Sequence, residues 1–210
     1  VMQTRLLTPT QQSIIQLLTL VREQASTDAI EEVLKKDAAL AFNLLRLINS
    51  ASFGAHRKIT SFKQAVMLLG LNKLFRWAAM LLTAAREGGP PPAVGQTAVI
   101  RGRLMELLAK HSLTDTDADL AFICGMFSML DRMLGMTLPA ALALIPVSES
   151  VSAALLHHEG ILGELLMLTK ACESHDQEQF DRSACSLELE HGDINHAHLQ
   201  ALRWTECLSD

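Results

Sequence analysis

Nearly every segment of this chain opens with a helix start signal and continues with apolar residues three and four positions apart; none alternates as a half-buried strand does. Thr8-Pro9 places a cap and a first-turn proline ahead of Ile14, Ile15, Leu17, Leu18 and Val21. Asp28 and Glu31 open a short second helix, and Asp37 caps a third through Leu40, Leu44, Leu45 and Ile48. Ser61 and Gln64 form a capping box for a helix over 62–69, Gly70 closes it, and Asn72 caps the next, which runs to residue 85. Further helices are predicted near 94–111, 117–134, 137–145, 148–157 and 161–173, with Ser174-x-x-Gln177 and Asp193 capping two more. Aromatic residues make up only 4% and Tyr is absent, which removes side chains that strands favour. The predicted fold class is all-α: an irregular globule of about ten short helices, with an all-β sandwich excluded.

The run Glu87-Gly88-Gly89-Pro90-Pro91-Pro92 cannot be helical and is the one clear linker. It suggests that residues 1–210 form one domain of two lobes, about 1–86 and 95–210, joined by a Gly/Pro loop over 88–95. Charge follows a related division. Residues 1–34 carry −2, residues 35–110 carry +9 and residues 111–210 carry −12, within a net charge of −5. A basic middle of this kind suits an anionic partner.

The apolar runs 65–71, 77–85 and 138–147 are too short to span a bilayer. Cys124, Cys172, Cys185 and Cys207 form no C-x-x-C, so a reduced, cytoplasmic protein is expected. The chain opens on Val1 without a signal-peptide pattern, and an upstream segment is expected to be missing.

Motifs of nucleotide and hydrolase chemistry are absent: no Gly-rich strand-to-helix loop, no G-x-S-x-G and no H-E-x-x-H. Neighbouring helix residues point about 100° apart, so His157 and His158 read as a polar helix end rather than a metal pair. His191, His196 and His198, around Asp193, match no zinc spacing and read as solvated cap residues. Arg57, Lys58, Lys63, Lys73 and Arg76 lie around caps and helix faces; without interleaved aromatics they do not suggest nucleic acid, but they leave room for a localised anionic partner.

The stretch from Asp37-Ala38-Ala39-Leu40 through Asn49-Ser50-Ala51-Ser52-Phe53-Gly54, followed by Ile59-Thr60-Ser61 and Ala65-Val66-Met67-Leu68-Leu69-Gly70, resembles the signature of the HDOD domain. It departs at Ala38, where the family usually has proline; the cap at Asp37 is compatible with either. Arg101-Gly102-Arg103, the run from Ala121 to Asp131, Glu159-Gly160 with Leu162-Gly163, and Ala201-Leu202-Arg203-Trp204 resemble the tail of two-domain EAL–HDOD signalling proteins. The family motif residues are thus Asp37, Leu40, Asn49, Ser50, Phe53 and Gly70; Asn49 and Ser50 read first as helix C-capping groups.

HDOD domains are relatives of HD metal phosphohydrolases. Where the His-Asp doublet of those enzymes would fall, this chain has Ser128-Met129, which offers no ligand suited to a hard hydrolytic metal. The doublet His175-Asp176 stands instead in a polar helix start, where capping explains it.

The resemblance implies a non-enzymatic signalling output or protein-interaction module, part of a larger bacterial protein linked to cyclic-di-GMP signalling, with no metal and no cofactor. Its implied partners are an attached EAL domain, a kinase or a response regulator; the charge pattern, independently of the resemblance, points to docking on a basic surface of Arg57, Lys58, Lys63 and Arg76. The alternatives are a degenerate HD-type phosphohydrolase using a set such as His191, His196 and His198, and a module that binds a nucleotide or other anion.

Overall fold

The computed structural model describes residues 7–37, 40, 43–44, 62–84, 93–112, 115–145 and 147–206. As predicted, the fold is all-α, with no strand among the described residues. The helices are α1 (Pro9–Arg22), α2 (Thr27–Lys36), α3 (Phe62–Ala84), α4 (Ala93–Ser112), α5 (Asp115–Phe127), α6 (Leu130–Leu134), α7 (Leu138–Leu144), α8 (Glu149–His157), α9 (Gly160–Ser174), α10 (Gln177–Ser186) and α11 (His191–Glu206).

Local capping chemistry sets several boundaries. Thr8 and Gln11 form a reciprocal capping box, with Thr8 Oγ1 accepting from Gln11 N at 3.2 Å and Gln11 Oε1 accepting from Thr8 N at 3.0 Å. Asp37 Oδ1 accepts the Leu40 amide at 2.9 Å, the predicted cap. Three caps differ from expectation. Helix α2 starts earlier, because Ser26 accepts from Ala29 N at 3.2 Å. Asp176 caps α10 through Gln179 N at 3.0 Å, whereas Ser174 Oγ donates back to Lys170 O. Asp193 lies inside the first turn of α11 rather than before it. Helix α4 begins at Ala93 and includes buried Gly95, so the loop expected to reach residue 95 ends before residue 93.

Gly70 breaks α3 without ending it: its φ of 77° and ψ of 165° interrupt the helical backbone, which then resumes through Asn72. That region is accessible essentially to glycine alone. A Cβ there would meet no atom within 4 Å, so the penalty for Gly70→Ala is backbone strain only. We expect a loss of about 1–3 kcal/mol, read as a lower urea midpoint with an unchanged slope.

Two compact units make up the chain: Val1–Pro92 with Asp131–Pro146, and Ala93–Leu130 with Val147–Asp210. Their composition differs from two contiguous lobes, since 131–146 returns to the first unit, where Gln11 Nε2 donates to Met133 O at 3.4 Å. In the first unit α1 packs on α2 and α3. Its buried stripe of Ile14, Leu17, Leu18 and Val21 is the face that the spacing predicts. Residues 74–83 of α3 are all buried.

In the second unit α4 and α5 form the most extensive helix pair, α11 packs on α4, and α9 contacts α4, α5, α8 and α10. No single helix among the described residues is long and apolar enough to cross a membrane.

Candidate functional site

Two glycines let α4 and α5 meet backbone to backbone. A Cβ on Gly102 would lie 2.8 Å from Phe122 O, and one on Gly125 would lie 2.7 Å from Arg101 O. This contact carries Arg101 past the C-terminal turn of α5. Its guanidinium donates through Nε to Glu173 Oε1 at 2.7 Å and through Nη2 to Glu173 Oε2 at 2.6 Å. Nη1 donates to Ser128 Oγ at 2.9 Å, and that hydroxyl donates to Gly125 O at 2.6 Å. One planar cation therefore ties together α4, the end of α5 and the end of α9 through charge-assisted bonds.

The same network explains why the helix expected over 117–134 is two helices. Ser128 turns its hydroxyl back onto the last turn of α5, and α6 starts only at Leu130. Of the two residues at the HD-like position, Ser128 is thus a hydrogen-bonding hub and Met129 is a core side chain, 5% exposed.

A second polar cluster lies further along α4. Glu106 is buried and accepts from Arg103 Nη1 at 2.7 Å and Lys110 Nζ at 3.1 Å. The Arg103 guanidinium sits 5.1 Å from the Trp204 ring centroid, and Trp204 meets Phe122 edge-on at 6.4 Å. Cation–π and aromatic contacts thus fix α11 on α4 and α5.

The other expected positions divide sharply. Asn49, Ser50, Phe53, Arg57 and Lys58 lie outside the described residues, as does the side chain of Lys63. Arg76 is corrected: it is only 8% exposed, with its guanidinium 5.8 Å from the Trp77 ring centroid, so it does not belong to an open basic surface. Its place in the fully buried stretch 74–83 is the reason.

Among the described residues the histidines do not converge. His191 Nε2 lies 3.4 Å from Asp181 Oδ1, His196 pairs with Gln200 at 2.7 Å, and His158 and His175 are left-handed helix caps. Among the described residues no three His, Cys, Asp or Glu side chains are placed to share an ion.

Burial controls the thiols. It raises Cys124 from 9.0 to about 12, opposed by the positive charge of Lys170, and raises Cys172 to about 11. Both are therefore neutral and poorly nucleophilic at pH 7, whereas Cys185 is exposed. Alkylation of the native chain, read by peptide mass, should label Cys185 well before Cys124 and Cys172. Because the folded values lie above the ordinary one, the buried Cys124 and half-buried Cys172 thiols contribute stability that is fully present below about pH 9 and is lost as pH rises through 11 and 12. Melting temperature should fall in that alkaline window, and less so in Cys124→Ala.

The profile of the family described as HDOD domain matches residues 6–144. Cyclic di-GMP phosphodiesterase CdgJ of Vibrio cholerae is 28% identical over 177 residues, which are 84% of this chain and 41% of that protein. Uncharacterized protein YuxH of Bacillus subtilis is 30% identical over 194 residues, 91% of this chain and 47% of the relative. The chain thus spans less than half the length of these curated relatives. A crystal structure named "Putative phosphohydrolase" from Shewanella amazonensis superimposes with a TM-score of 0.61 at 15% identity, over 98% of this chain and 95% of that one. The structural likeness shows the fold alone, whereas the name of the Vibrio relative, a cyclic di-GMP phosphodiesterase, overturns the expectation that the chain is not an enzyme.

Proposed function

Because this chain belongs to the HDOD domain family, we propose that it is the signal-transducing module of a longer cytoplasmic protein that hydrolyses cyclic di-GMP. The observation that carries this reading is a difference in coverage: the alignment takes in 84% of this chain but 41% of the relative named for that activity. In the proposed arrangement the remainder corresponds to an attached EAL-type domain, and this module conveys a signal to it, or to a kinase or response regulator, by direct contact.

The excess of +9 over residues 35–110 favours an acidic docking partner. With Arg76 buried, the docking set reduces to Arg57, Lys58 and Lys63. Cyclic-di-GMP hydrolysis by the full-length protein, with and without this module, tests the reading. Removal should change kcat or KM, and identical constants would overturn transmission to the attached EAL-type domain. Charge reversal at Arg57 and Lys58 should slow association with the partner by about tenfold at low salt, with little change in melting temperature.

A second reading, favoured by the phosphodiesterase name of the Vibrio relative, is that this chain itself contributes to hydrolysis. Product formation by the purified 210-residue chain would establish it.

A further inference from the structure

We propose that the guanidinium of Arg101 is a phosphate-binding fork that Glu173 keeps closed. The inference stands apart from the reading above and rests on the geometry of three side chains in the second unit. Both edges of the fork are engaged: Nε and Nη2 hold the two carboxylate oxygens at 2.7 and 2.6 Å, and Nη1 holds Ser128 Oγ at 2.9 Å. Two parallel N–H donors at this spacing suit a phosphate as well as they suit a carboxylate. The Ser128 hydroxyl adds a third group, which can turn from Gly125 O toward a phosphate oxygen.

The two charged partners are not equally fixed. Arg101 is 13% exposed and its backbone is pressed against Gly125, whereas Glu173 is 30% exposed and stands one residue before the end of α9. Glu173 is therefore the group that can swing out and leave the fork in place, since terminal turns fray first. Positive charge also extends beyond Arg101. Lys170 lies one turn before Glu173, and its charge is felt at Cys124, one turn before Ser128.

The ligand must displace a carboxylate tethered at high effective concentration. A singly charged anion brings no more charge than Glu173 itself. The class that fits is a phosphate monoester dianion on a small molecule, bound at a fork whose built-in carboxylate sets the threshold for binding.

Calorimetric titration of inorganic phosphate into the intact chain tests this. Glu173→Gln should bind phosphate about tenfold more tightly than the unmodified chain, and adding Arg101→Gln should abolish the gain. In the unmodified chain phenyl phosphate should bind more tightly than the monoanion dimethyl phosphate, which brings no more charge than the carboxylate it must displace, and the difference should narrow in Glu173→Gln. Equal affinity in the unmodified chain and Glu173→Gln, or a gain that survives Arg101→Gln, would overturn the proposal and leave a structural ion pair. If Glu173→Gln does not fold, Glu173→Asp, too short to hold both edges of the fork, takes its place under the same criteria.

Discussion

Replacing Gly125 by alanine is expected to destabilise the second unit by about 3 kcal/mol or more. The new methyl group would lie 2.7 Å from Arg101 O and 2.8 Å from both Arg101 C and Gly102 Cα. All three are backbone atoms, so no side-chain rotation relieves the clash, and α4 and α5 must separate. That pair is the most extensive helix contact in the unit, and separation would also pull Arg101 away from Ser128 and Glu173. Gly163→Ala should behave alike, because its Cβ would clash with the carbonyl carbon and oxygen of His158, again backbone atoms. Gly192→Ala supplies the control. That glycine is helical, and a Cβ there meets nothing within 4 Å, so the substitution should be neutral or stabilising by up to about 1 kcal/mol. Urea denaturation of the three variants separates the outcomes; a Gly125→Ala midpoint close to that of Gly192→Ala would contradict the backbone contact.

The second large effect is expected at Glu106. Glu106→Ala removes the carboxylate that both Arg103 and Lys110 address. Lys110 is 45% exposed and regains water at little cost, but Arg103 is only 22% exposed and is held against Trp204. Leaving that guanidinium unneutralised should cost about 3 kcal/mol, near the lower end for breaking a buried pair from one side. Loss of Arg103 geometry should also shift Trp204 fluorescence, since its ring packs between Arg103 and Phe122. Glu106→Gln keeps an acceptor and the shape, and should lose only about half as much. Denaturation midpoints together with the emission maximum distinguish a local ion-pair loss from general unfolding.

The sequence alone set the helical class and many of the helix boundaries. Caps at Thr8 and Asp37 involve residues three apart, so the partners are visible side by side in the chain. The spacing of Ile14, Leu17, Leu18 and Val21 likewise announced a buried face before any neighbour was known. Where competing cap residues stood close together, as at Ser174 and Asp176, composition did not decide between them; the left-handed turn at His175 did.

Tertiary structure decided the rest. Arg101 and Glu173 are 72 positions apart, and nothing in either local sequence pairs them. Arg76 read as a surface cation because it follows Lys73 in a basic stretch, but burial of the whole segment 74–83 places it inside. The return of 131–146 to the first unit is similarly silent in the sequence. The division has a physical cause. Capping and amphipathic periodicity depend on neighbours within one or two turns, whereas the position of a charged group depends on which distant helices exclude water around it. Gly102 and Gly125 connect the two levels: a missing side chain is legible at each position, and only the crossing of α4 and α5 shows what fills the space.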